Sequence, residues 1–119
     1  MSAAKVLIID DEPIVRRATA GLLALDGFDV TQVSSPADVP PLARFAVGIF
    51  DVNLSGTDGI GFARAMLDAG QVQQAIFYTG GGDELTCRRA GEVGTVVVKP
   101  ELGPLREAVK RLSSKPPKP

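Results

Sequence analysis

The sequence has no histidine, no tryptophan and a single cysteine, Cys87. One thiol cannot close an internal disulfide, and with no imidazole beside it no Cys/His metal centre can be assembled. Long apolar runs are missing as well. The amino terminus, MSAAKVLIIDDE, carries only a short one cut off by acids, so it reads neither as a secretory signal nor as a membrane span. An excess of either charge is also lacking: the net charge of −1 offers no electrostatic grip on a polyanion. The late cations Lys110, Arg111, Lys115 and Lys118 read as a solvated last helical turn and a Pro-rich tail. These absences predict a cytoplasmic protein that engages neither membrane nor nucleic acid directly.

What is present suits one folded unit. A length of 119 residues with 45% hydrophobic and 23% charged side chains lies within ordinary globular usage, far from the profile of a disordered chain. Residues 1–113 are expected to form one domain, and 114–119 a Pro/Lys-rich disordered tail or linker stub. Val6–Ile9, Val47–Phe50, Ala75–Tyr78 and Val96–Val98 are apolar runs without clean alternation, the pattern of strands buried on both faces. Phe28–Val33 is more mixed and reads as an edge strand. Helices are predicted over Pro13–Asp26, with Ile14, Ala18, Leu22 and Leu25 as the apolar stripe, then Gly59–Ala69, a short Asp83–Ala90 and Leu105–Leu112. Three prolines in Ser34–Arg44 predict a broken or very short helix there. Strand and helix alternate, which makes the fold class α/β, a doubly wound parallel sheet of five strands.

The strand ends carry the chemistry. Asp10 and Asp11, then Asp51, then Thr79, then Lys99 each follow an apolar run, and in an open parallel sheet such ends converge on one crevice. Three carboxylates about 5 Å apart repel by roughly 3 kcal/mol per pair at an effective dielectric near 20, so cations must compensate. Lys99 is one, and an oxygen-rich site suits a hard divalent cation of the Mg²⁺ type. Cation, lysine and hydroxyl together also make a phosphoryl-binding set, with Asp51, at the mouth of the site, as nucleophile. Taken singly, the residues have simpler readings. Asp11 serves equally as a helix cap, Asp51 and Asp58 as turn residues, Lys99 as an ion-pair partner and Thr79 as a strand-end cap.

IIDDE, FDVNLSGTDG, YTG and VVVKP, in that order, closely resemble the receiver domains of response regulators in two-component signalling. The resemblance covers nearly the whole chain. It implies the flavodoxin-like strand order 2-1-3-4-5, Asp51 as phosphoacceptor, and Asp10, Asp11, Asp51 and the backbone carbonyl of Asn53 as the Mg²⁺ site, with Mn²⁺ able to substitute. It also implies Thr79 and Lys99 as phosphoryl-binding switch residues and a cis peptide bond before Pro100. A histidine kinase or histidine phosphotransfer protein would supply the phosphoryl group, since the chain has no histidine of its own. The output would be altered binding of a downstream protein or phosphorylation-dependent dimerisation, with no enzymatic turnover beyond self-phosphorylation and slow self-dephosphorylation. The chain would be a stand-alone regulator, a relay or sink, or a piece of a longer protein.

Two departures from the family pattern stand out. Ser55 replaces the proline of the usual DxxLPG, which is expected to loosen the loop without touching chemistry. Val96, three residues before Lys99, replaces the usual aromatic switch residue. Three rival functions are open to such a sequence. A haloacid-dehalogenase-type phosphatase would want a second aspartate where Asn53 stands, and a flavodoxin-type carrier would want backbone donors where Asp10, Asp11 and Glu12 stand. A pseudo-receiver would bind partners without phosphorylation, which Val96 permits.

Overall fold

The computed structural model describes residues 3–80 and 83–114. In chain order the elements are β1 (Lys5–Ile9), α1 (Pro13–Leu25), β2 (Asp29–Val33), a 3-10 turn (Pro36–Asp38), β3 (Phe45–Phe50) and the two-residue strands β4 (Asn53–Leu54) and β5 (Thr57–Asp58). They continue with α2 (Gly59–Asp68), β6 (Val72–Thr79), α3 (Glu84–Val93), β7 (Thr95–Val98) and α4 (Leu102–Ser113). The main sheet is parallel, in the order β2-β1-β3-β6-β7. Setting aside the small β4–β5 hairpin, this is the expected order 2-1-3-4-5, and the fold is flavodoxin-like α/β.

The inner strands are apolar on both sides because both sides are covered. Val6 and Ile8 of β1, Ile76 and Tyr78 of β6 and Val97 of β7 join one core with Ala20 and Leu23 of α1 and Leu105, Val109 and Leu112 of α4. Leu7, Ile9, Ala75 and Phe77 face the other way, onto Ile60, Ala63 and Met66 of α2 and Ala90 of α3. Alternate residues of one strand thus feed opposite layers, the period-2 geometry of a pleated strand. On the α1/α4 side the layer is also clamped by charge: Arg106 of α4 grips the Asp26 carboxylate just after α1 with two hydrogen bonds of 2.6 and 2.8 Å. Those bonds hold the Asp26 carboxyl below its ordinary pKa.

Several expectations need correction. β7 is the second edge of the sheet, although Val97 and Val96 still face the two core layers, and Val98 is half exposed. The Ser34–Arg44 segment keeps only its single 3-10 turn, as its prolines require. α3 extends to Val93, past the expected end at Ala90, and α4 begins at Leu102, three residues before Leu105. The buried face of α1 is also not the predicted stripe. Thr19, Ala20 and Leu23 are buried, while Ile14 and Leu25 are each 85% exposed. The 3.6-residue period was right but its phase was wrong, because Val15, Thr19 and Leu23 recur at the same spacing as Ile14, Ala18, Leu22 and Leu25. Thr19 can line the core because its hydroxyl donates to the Val15 carbonyl at 2.8 Å. The expected tail lies outside the described residues from 115 onward, as do Gly81 and Gly82.

This assignment of the α1 face is open to a paired test. Leu23→Ala should lower the unfolding free energy by about 2–5 kcal/mol, whereas Leu25→Ala should change it by no more than about 0.5 kcal/mol. Urea denaturation of the two variants gives the comparison, and similar losses in both would refute the phase.

Candidate functional site

The register of the sheet delivers the charged residues to one end. Ile9 of β1 pairs with Phe50 of β3, so Asp10 and Asp51, each one residue further on, leave the sheet side by side. Phe50 pairs with Phe77 of β6, and Thr79 of β6 pairs with Val98 of β7, so Thr79 and Lys99 follow at the same end. The Lys99 amide donates to the Thr79 carbonyl at 2.7 Å and continues that register one step past β7. The peptide bond that follows, Lys99–Pro100, is cis.

Lys99 is the hub. Its ammonium lies 2.9 Å from Asp10 Oδ2, 2.9 Å from Asp51 Oδ2 and 3.5 Å from Glu12 Oε1. The Lys99 and Asp51 side chains are about nine-tenths buried, and that of Asp10 is deeper still. Burial alone pulls the ammonium pKa down, but the hydrogen bonds to Asp10 and Asp51 overrule it and hold the pKa above its ordinary 10.5. Asp10 Oδ1 accepts from the Glu12 amide at 2.9 Å, and Arg16 Nη1 donates to the Asp10 carbonyl at 3.0 Å. Asp51 Oδ1 accepts a long bond, 3.4 Å, from the Asn53 amide. Thr79 is buried.

Four carboxylates, those of Asp10, Asp11, Glu12 and Asp51, present oxygens all within 4.8 Å of one another. Pairs of like charge at that separation cost roughly 3 kcal/mol each at an effective dielectric near 20, and one lysine cannot cancel four. The donors are all oxygen, so the cluster fits a hard divalent cation and could hold one.

Asp51 is aimed by the loop after it. Gly59, the first residue of α2, packs so closely beneath that a Cβ there would collide with the Asp51 carbonyl oxygen. The Gly59 amide donates to the Val52 carbonyl at 3.0 Å, and Asp58 caps α2 by accepting from the Ile60 amide. Between them β4 and β5 pair Leu54 with Thr57 across a two-residue turn, Ser55-Gly56. In such a hairpin the flanking residues form the hydrogen-bonded pair and the next pair does not, which turns the backbone groups of Asn53 away from β5. The Asn53 side chain is occupied within the turn, its Oδ1 accepting from the Gly56 amide at 3.0 Å.

Residues 6–110 match the family model described as the response regulator receiver domain. The chain belongs to that family. Sixty residues, 48% of this receiver domain, are 43% identical to the response regulator protein FleR of Pseudomonas aeruginosa and span 13% of that longer protein. Among solved structures, the Vibrio cholerae chemotaxis protein CheY4 superposes with a TM-score of 0.81 at 25% identity, over 93% of this chain and 99% of that one. A Burkholderia pseudomallei response regulator, solved with a phosphorylated aspartic acid, a calcium ion and citrate, gives 0.79 at 20% identity, over 93% of this chain and 69% of that one. Among the described residues of this receiver domain no helix is long and apolar enough to cross a membrane.

Asp10, Asp11 and Asp51 stand together, with Lys99 among them, and Asn53 borders the group. Val96 lies on β7, partly buried against the α2/α3 core. Asp11 is not the cap of α1, because Glu12 holds that position and makes no side-chain cap. Glu12 is a cluster member that reading the DDE run as an acidic pair overlooked; its place in the turn between β1 and α1 was the available signal. Ser55 was misjudged, since its Oγ donates to Asp11 Oδ2 at 2.7 Å.

Removing the hub should expose what it holds. Lys99→Met should cost about 3–5 kcal/mol of stability at neutral pH, because it leaves two nearly buried carboxylates without their cation. A raised lysine pKa contributes stability that is complete below the ordinary value and lost only as the pH climbs through the higher one. The deficit measured by denaturation in the absence of divalent metal should therefore stay flat between about pH 7 and pH 9. A deficit that fades across that window would contradict the assigned pairing.

Proposed function

We propose that this domain accepts a phosphoryl group on Asp51 with the help of Mg²⁺. The observation that carries the reading is the four-carboxylate crevice in which one lysine joins Asp51 to Asp10. Asp10, Asp11, Asp51 and the Asn53 carbonyl would hold the cation, and Mn²⁺ could replace it. Bound there, a divalent cation neutralises the phosphoryl oxygens and the excess carboxylate charge.

The chain's own residues do the rest. The Asp51 carboxylate attacks the phosphorus of a phosphohistidine; the new O–P bond forms as the P–N bond breaks, and the imidazole of the donor leaves with the electron pair. Lys99, already in contact with Asp51, moves its charge from carboxylate to phosphoryl oxygen. The Thr79 hydroxyl donates to another phosphoryl oxygen, and drawing it there shifts the end of β6 toward β3, which biases the α3 side of the domain between two conformers. The donor is a histidine kinase or histidine phosphotransfer protein; this chain contains no histidine, so the phosphohistidine belongs to another protein or another domain. The output is altered affinity for a downstream protein or for a second copy of the chain, in the cytoplasm.

One further fact supports this reading over a phosphatase. Asn53 occupies the place of the second catalytic aspartate and its side chain is engaged within the hairpin turn. The fold of the Burkholderia pseudomallei response regulator is compatible with a phosphorylated aspartate and a divalent ion, since that structure carries both.

Intact mass after incubation with Mg²⁺ and acetyl phosphate tests the proposal. The wild-type chain should gain one phosphoryl group, and Asp51→Ala should gain none while keeping its circular dichroism. The same mass gain in Asp51→Ala would overturn the assignment.

A further inference from the structure

We infer that Ser55 is a positioning residue of the cation site, its hydroxyl holding Asp11 in the orientation from which that carboxylate can ligate. The inference rests on the cation-binding reading above and deepens it, since it names a residue absent from the family's usual motif.

The backbone is the first observation. Ser55 and Gly56 form the two-residue loop between β4 and β5, with φ of 51° and 86°. Positive φ at both central positions defines a type I′ turn, whose twist suits a tight hairpin. Proline, fixed near −65°, cannot occupy the first of these positions. The chain has therefore adopted a different turn from the one a proline permits, instead of a looser version of it. Ser55 is also the only non-glycine among the described residues with positive φ. A serine there is less comfortable than a glycine, and something must compensate.

The second observation supplies that compensation. The turn swings the Ser55 side chain over the end of β1, where Oγ donates to Asp11 Oδ2 at 2.7 Å across 44 residues of sequence. A hydrogen bond to an ionised carboxylate is one of the stronger kinds, and it adds no charge to a crowded site. Asp10 and Asp51 are both fixed by Lys99, whereas among the described residues Lys99 forms no ion pair with Asp11. Asp11 is oriented instead from the hairpin. With Oδ2 engaged by the hydroxyl, Oδ1 is left to serve a cation in this inference. The hairpin that carries Ser55 also carries Asn53, so one short turn places a carboxylate and a backbone carbonyl relative to each other.

Partners that orient a ligand commonly change metal affinity by about tenfold or more when removed. Mn²⁺ binding to the full chain, followed by the electron paramagnetic resonance of free Mn²⁺, reads this directly. Ser55→Gly removes the hydroxyl and relaxes the turn; Ser55→Ala removes it and keeps the strain. Both should weaken Mn²⁺ by about tenfold, and by similar factors, while Ser55→Gly keeps the metal-free circular dichroism of the wild type. Absence of Mn²⁺ binding by the wild-type chain would overturn the cation reading and this inference with it. Wild-type binding that Ser55→Gly leaves unchanged would overturn the inference alone. A loss in Ser55→Ala only would assign the effect to the backbone and refute the role of the hydroxyl.

Discussion

The Lys99 ammonium lies 2.9 Å from one oxygen of Asp10 and 2.9 Å from one of Asp51, and the crevice is organised around those contacts. Two nearly buried carboxylates on adjoining strands would otherwise repel each other in a poorly screening environment. A salt bridge of this kind is weak evidence for stability and stronger evidence for a site: its charges are matched well enough to fold, and Asp11 and Glu12 are left in excess beside it. That imbalance gives an incoming cation a favourable reaction with the folded protein.

The rest of the fold serves to keep those strand ends in register. β1, β3 and β6 are buried on both faces, so a one-residue slip would move every apolar side chain into the wrong layer. Asp10 and Asp51 are therefore side by side for reasons that lie in the core. The loop after Asp51 adds a local constraint, because the backbone of Gly59 lies against the Asp51 carbonyl where any side chain would intrude. The type I′ hairpin between them turns the chain back within four residues and brings Ser55 to Asp11.

The main sheet was legible in the sequence because its inner strands are short apolar runs ended by chemically distinctive residues. Asp10, Asp51, Thr79 and Lys99 could be assigned to one end of a parallel sheet because each follows an apolar run, whereas the strand order came from the family resemblance. The face of α1 could not, since two sets of apolar residues share one helical period and only tertiary packing chooses between them. Glu12 and Ser55 were obscured for another reason. Both depend on loop geometry, and a serine in place of a proline reads as a lost constraint until the positive φ at Ser55 shows that a different turn has formed. The position of Val96 was visible in sequence, but its packing against the α2/α3 core follows from the strand register.

In the proposed function, Asp51 and a divalent cation together form a phosphoryl-binding site. Fluorine NMR of the chain with beryllium fluoride, a mimic of the phosphoryl group, addresses it most directly. Bound fluoride resonances are expected for the wild-type protein in Mg²⁺, with their loss on chelation of the metal and none for Asp51→Asn. Bound resonances that survive chelation, or that persist in Asp51→Asn, would contradict it.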